Sequence, residues 1–136
     1  MKSNGKFLAV TGRPGIYEVK GQSKSGLLVR HIENGKIHLA TPLSVSFLDD
    51  IVIYTENDKL SLPEVLLRID AGDAALIPGS KASSRELKDY FKQIIPDYDA
   101  DKFYPSHMKK ILQWYHILRR TGRIDELRSE KPENKS

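Results

Sequence analysis

The chain of 136 residues has no cysteine at all. That excludes disulfides, thiolate nucleophiles and cysteine-ligated zinc together, and it fits a reducing, cytoplasmic compartment. Long apolar runs are also missing: nothing approaches the ~18 consecutive apolar residues that a membrane span needs. Near the N-terminus only Phe7 to Val10 are apolar in a row, too few for the core of a secretory signal. Histidine is scarce, with four residues, and tryptophan occurs once, as Trp114. No pair of histidines has the i, i+4 spacing of a helical zinc site, so no metal is expected. No Gly-x-Ser-x-Gly elbow occurs. Gly12-Arg13-Pro14-Gly15 lacks the Gly-Lys-Ser/Thr ending of a phosphate loop. With no catalytic constellation to assemble and no cofactor motif, the expectation is a protein that is not an enzyme and carries no cofactor.

What is present suits a soluble globular chain, 39% hydrophobic and 29% charged. The first 55 residues read as short strands. Lys6 to Val10, Ile16 to Val19, Leu27 to Ile32 and Lys36 to Ala40 are punctuated by Gly, Pro and Asn, and Ser44 to Leu48 is ambiguous between strand and loop. Asn34-Gly35 is a strong hairpin signal and predicts a type I′ turn. Ile51 to Tyr54 is a β-branched run suited to a buried fifth strand. Five short strands predict a small SH3-like β-barrel or a bent antiparallel sheet. Residues 61–69 read as a capping helix, with Pro63 in the first turn, where its missing N–H costs nothing. The predicted organisation is a sheet domain over residues 5–69, a linker over 70–82, a helical hairpin over 83–122 and a polar tail over 123–136. The fold class is α+β.

The hairpin carries the sharper signals. Ser83-Ser84-Arg85-Glu86 matches a capping box. Leu87, Tyr90, Phe91 and Ile94 then share one stripe, and Pro96 ends the helix. A second helix runs from about Pro105 to Thr121, with Gly122 as its C′ residue. Between them, Asp97, Asp99 and Asp101 start like a calcium loop. The glycine required at the sixth position is Lys102 and the acid at the twelfth is Met108, so calcium is not expected.

Several segments resemble a family of uncharacterised bacterial proteins associated with the Bacteroidota, a domain of unknown function. They are Thr11 to Tyr17, Leu48 to Glu56 and Leu62 to Val65. The most specific is Leu87-Lys88-Asp89-Tyr90-Phe91 through Pro96-Asp97-Tyr98-Asp99 to Lys109-Lys110-Ile111 and Trp114-Tyr115. The resemblance covers most of residues 6–122. It implies a β-rich N-terminal part followed by a helical part, and supplies no activity. Ser106-His107-Met108 departs from the family pattern, which has an acidic residue after the serine.

Net charge is +4, with 22 basic and 18 acidic side chains. Residues 84–136 hold 12 basic and 9 acidic groups, against 10 and 9 in residues 1–83. Lys109, Lys110, Arg119, Arg120 and Arg123 therefore form the candidate nucleic-acid face, with RNA preferred to DNA. The competing expectation is a protein–protein adaptor or self-associating module using Phe103, Trp114 and Tyr115. Against both stands the bland reading: a solvated face, helix-end cations that complement the dipole, and aromatics that are simply core.

Overall fold

The computed structural model describes residues 7–129. The chain divides into two compact units, residues 1–51 together with 117–136, and residues 52–116. Among the described residues no helix is long and apolar enough to cross a membrane.

The first unit is built on an antiparallel sheet of β1 (Phe7–Val10), β2 (Arg13–Ser23), β3 (Gly26–His31), β4 (Ile37–Ala40) and β5 (Val45–Phe47), in the order β4-β3-β2-β1-β5. Alternation puts Leu8, Val10, Tyr17, Val29 and Ala40 on one face, where they form a buried core joined by Leu27, Val45 and Phe47. The outermost strands, β4 and β5, are successive in sequence. Their connection, Thr41 with a 3₁₀ turn over Pro42–Ser44, can reach at most about 17 Å even fully extended. A flat sheet of five strands is roughly 19 Å across. The sheet must therefore curl over its inner face. It does not close: no ladder joins β4 to β5 among the described residues. Of the two expected forms, barrel or bent sheet, the bent sheet is found.

Three local expectations change. The tight turn expected over Thr11–Gly15 shortens to Thr11-Gly12, and β2 begins at Arg13. Gly35 has φ +74° but Asn34 is not in the left-handed region, so the β3–β4 turn is not type I′. It is a longer loop, held instead by Gly35 N–H donating to the His31 carbonyl and Lys36 N–H donating to Asn34 Oδ1 (both 2.9 Å). The run Ile51 to Tyr54 does not join this sheet, whose fifth strand is Val45–Phe47.

In the second unit, β6 (Val52–Tyr54) pairs with β7 (Lys59–Ser61) in a separate hairpin leading into α1 (Leu62–Ala71). Ser61 caps α1, its hydroxyl accepting from Glu64 N–H (3.3 Å), and Pro63 stands in the first turn. The helix α2 (Ser84–Ile94) starts with the full capping box: Ser83 Oγ accepts from Glu86 N–H (3.1 Å) while Glu86 Oε1 accepts from Ser83 N–H (2.8 Å). The helix α3 (Pro105–Arg120) follows the Asp-rich loop, and the cut between the units falls within it, after His116. A short α4 (Asp125–Ser129) lies in the part called a polar tail from sequence; residues 130–136 of that tail lie outside the described residues.

The expected domain boundary at residues 70–82 is not where the chain divides. Residues 52–71 are tied to the helices by strand-like and side-chain links. Thr55 bridges Tyr98. Glu56 N–H donates to the Asp97 carbonyl and Asp99 N–H to the Tyr54 carbonyl (both 2.9 Å). Tyr115 donates to Asp70 Oδ1 (3.0 Å), and Arg68 Nη1 to the Ile94 carbonyl (3.1 Å). Nor is 70–82 a featureless linker. Asp73 Oδ1 accepts from Ala75 N–H (2.9 Å) and caps a 3₁₀ turn over Ala74–Leu76.

Candidate nucleic-acid interface on α3

The start of α3 is set by its loop. Asp99 Oδ1 accepts from Asp101 N–H (2.9 Å), and the Asp99 carbonyl accepts from Lys102 (3.0 Å) and Phe103 (2.9 Å) N–H. Asp99 thus builds an Asx turn. Tyr98 and Phe103 anchor the loop from inside: the Phe103 ring meets Tyr98 edge-on at 5.5 Å and Phe91 at 5.4 Å, and stacks on His107 at 6.3 Å. Pro105 takes the first helical position, and His107 Nδ1 accepts from Tyr104 N–H (3.1 Å). His107 therefore does what the N3 acid of a capping box does. This resolves the departure at Ser106-His107-Met108: the acid is absent and its hydrogen bond is not.

The position of each side chain on α3 decides its role. Met108, Ile111, Leu112, Trp114 and Tyr115 are buried, while Lys109, Lys110, Gln113 and His116 are exposed. Phe103, Trp114 and Tyr115, the expected partner surface, are only 4%, 7% and 4% exposed. Rings so covered present no face to a partner, and that expectation is withdrawn. Burial also pushes the Tyr90 hydroxyl up to about 12, with the nearby Tyr115 adding to it. Burial raises Tyr98 as well, helped by the Asp89 charge.

Lys109, Gln113 and His116 line one wall of a cleft of about 90 Å³. Pro78, Gly79 and Ser80 form the facing wall, with Leu87 and Leu112 at its base. On the other side of Pro78 a hollow of about 220 Å³ is lined by Glu86, Asp89, Tyr90 and Gln93. The first has a mostly apolar lining with one lysine, Lys109; the second carries two carboxylates. The 90 Å³ cleft falls well below the ~300 Å³ at which small-molecule sites begin. Sequence reasoning missed the Pro78–Ser80 wall, because only tertiary packing brings that loop to α3.

The five basic residues do not form one cluster. Lys109 and Lys110 belong to the second unit, and neither has an acidic partner among the described residues. Arg119, Arg120 and Arg123 belong to the first unit, and Arg119 is exposed. Arg120 Nε is paired with Glu33 at 2.9 Å. Arg123 is a structural residue. Gly122, at φ +72°, lets the chain reverse: its N–H donates to the Arg119 carbonyl (3.1 Å) and Arg123 N–H to the Leu118 carbonyl (2.8 Å), a Schellman motif. The Arg123 guanidinium then contacts Glu126 through two hydrogen bonds (2.7 and 3.1 Å) and Glu18 (3.0 Å), over the Phe7 ring at 4.9 Å. Glu126 chiefly, then Glu18, raise its pKa against burial. Burial by itself raises the Glu18 carboxyl, but hydrogen bonds and charge from Arg30 and Arg123 outweigh it and hold the carboxyl below its ordinary value.

Residues 51–118 match a family described as a domain of unknown function, DUF6852. That span nearly coincides with the second unit. A solution NMR structure of a protein from Bacteroides vulgatus is 34% identical, covers 86% of each chain and superposes with a TM-score of 0.70. No protein of curated function matches. By that family match, which spans half of its residues, the chain belongs to the DUF6852 family.

Proposed function

We propose that this protein is a non-catalytic, cytoplasmic binding module that grips phosphates of single-stranded RNA through Lys109 and Lys110. The observation that carries this reading is that both lysines are exposed with no acidic partner among the described residues, and that Lys109 lines a small cleft. Phosphate contacts from lysine are point-charge contacts and need no pocket deeper than this. Gln113 and His116 supply hydrogen-bonding groups along the same wall. Arg120 and Arg123 are left out of the interface, since both are occupied by glutamates. The test is anisotropy of a labelled mixed-sequence single-stranded RNA titrated with the protein at low salt. Lys109→Ala/Lys110→Ala should weaken binding by about tenfold, at roughly 0.7 kcal/mol per lost contact. Absence of binding at low salt, or equal affinity of the double variant, would contradict the reading.

A further inference from the structure

The free edge of the sheet in the first unit is unusual in its chemistry. His31 N–H donates to the Lys36 carbonyl (2.9 Å), and Val29 pairs with His38, Leu27 with Ala40. The alternation of an antiparallel ladder then points the N–H and C=O of Ile37 and Leu39 away from β3, toward the open edge. No backbone partner meets them among the described residues. Their side chains are 56% and 51% exposed, next to the half-buried Leu28 opposite Leu39. The His38 ring instead meets Tyr17 edge-on at 5.9 Å, and Ala40 is in the core. So β4 offers an apolar i, i+2 pair and a free hydrogen-bonding edge together. Sheets ordinarily blunt such edges with charges, prolines or bulges inside the strand, and β4 has none.

The charges around this edge are of one sign. Lys36 precedes Ile37. Lys24 stands in the β2–β3 turn beside the other end of β4, where Gly26 passes so close that a Cβ would lie 2.4 Å from the Ala40 carbonyl oxygen. The two acidic residues of β2 and the β3–β4 loop, Glu18 and Glu33, are held by arginines. A second copy of the chain is a poor occupant. It would bring the same lysines, and a strand of four residues presents well under the ~800 Å² per partner of a stable dimer.

We propose that β4 accepts an extended segment of another protein as a sixth strand, one with alternating apolar residues flanked by acidic ones. Main-chain hydrogen bonds to Ile37 and Leu39 would hold it, their side chains and Leu28 would take its apolar residues, and Lys24 and Lys36 would select its acidic flanks. The probe is a labelled peptide of alternating valine and threonine between glutamate pairs, compared with the same peptide between lysine pairs. Anisotropy should show saturable binding of the acidic peptide alone. Ile37→Lys/Leu39→Lys, which changes only exposed side chains, should weaken it about tenfold or more. Amide exchange at Ile37 and Leu39 should slow in the complex. The proposal is overturned if the acidic peptide does not bind, if the lysine-flanked peptide binds equally, or if the double variant binds as well as the parent. It is also overturned if sedimentation shows the chain dimerising through β4, with the dimer lost in the same variant.

Discussion

Arg123 shows how differently one side chain reads before and after its surroundings are known. By composition it belongs to a basic cluster. In the fold it closes a link from α4 to β2, holding Glu18, which is only 9% exposed. Nothing in the sequence couples residues so far apart, so the phosphate reading was the natural one. Removing the guanidinium leaves Glu18 with Arg30 alone. Arg123→Ala should cost about 1–3 kcal/mol of stability, the range for a buried polar group losing a partner, measured by urea unfolding. It should leave RNA affinity nearly unchanged, the reverse of the lysine variants. The carboxyl of Glu18 also gives a pH test. Because its folded pKa is depressed, its contribution is fully present above the ordinary glutamate value of about 4.3. It is lost as pH falls through the lower folded value. Urea midpoints of Glu18→Gln should therefore fall less steeply with acid than those of the parent.

At the scale of elements, what could be read was what local chemistry decides. The capping box at Ser83 and Glu86, Pro63 in the first turn of α1 and the glycine stop at Gly122 were all legible, because caps and left-handed residues act within one turn. Ser83→Ala should lower stability by about 1 kcal/mol. Gly122→Ala, forced to keep φ near +72°, should lower it by about 1–2 kcal/mol. Thermal or urea unfolding checks both. Two other readings failed, one within a turn and one between strands. Asn34-Gly35 suggested a two-residue turn, but the Lys36–Asn34 and Gly35–His31 bonds set a longer loop. Ile51 to Tyr54 was read as part of the first sheet. Its β-branched character was right for a strand, but its neighbour is β7 and not a strand of the first sheet.

For the whole chain, the α+β class and the order of sheet then helices were visible in short runs punctuated by Gly, Pro and Asn, followed by a helical apolar stripe. The division into units was not. A Gly- and Pro-containing stretch at 70–82 looked like a boundary, yet Asp70 is tied to Tyr115, and Pro78 to Ser80 form a wall of the α3 cleft. The division also redistributes charge. Residues 52–116 hold 9 basic and 10 acidic side chains, and the remainder hold 13 and 8. The unit bearing Lys109 and Lys110 thus has no bulk positive field, and the RNA binding proposed above would have to come from local contacts. In the proposed function, two lysines with no acidic partner among the described residues carry the affinity. The direct test is the salt dependence of RNA binding. Two phosphate contacts to a single strand give a slope of about −1.4 in log K against log salt, or roughly a sevenfold loss from about 50 to 200 mM. That slope should collapse toward zero in Lys109→Ala/Lys110→Ala. A slope several times steeper, or one untouched by the double variant, would place the binding elsewhere and contradict the account.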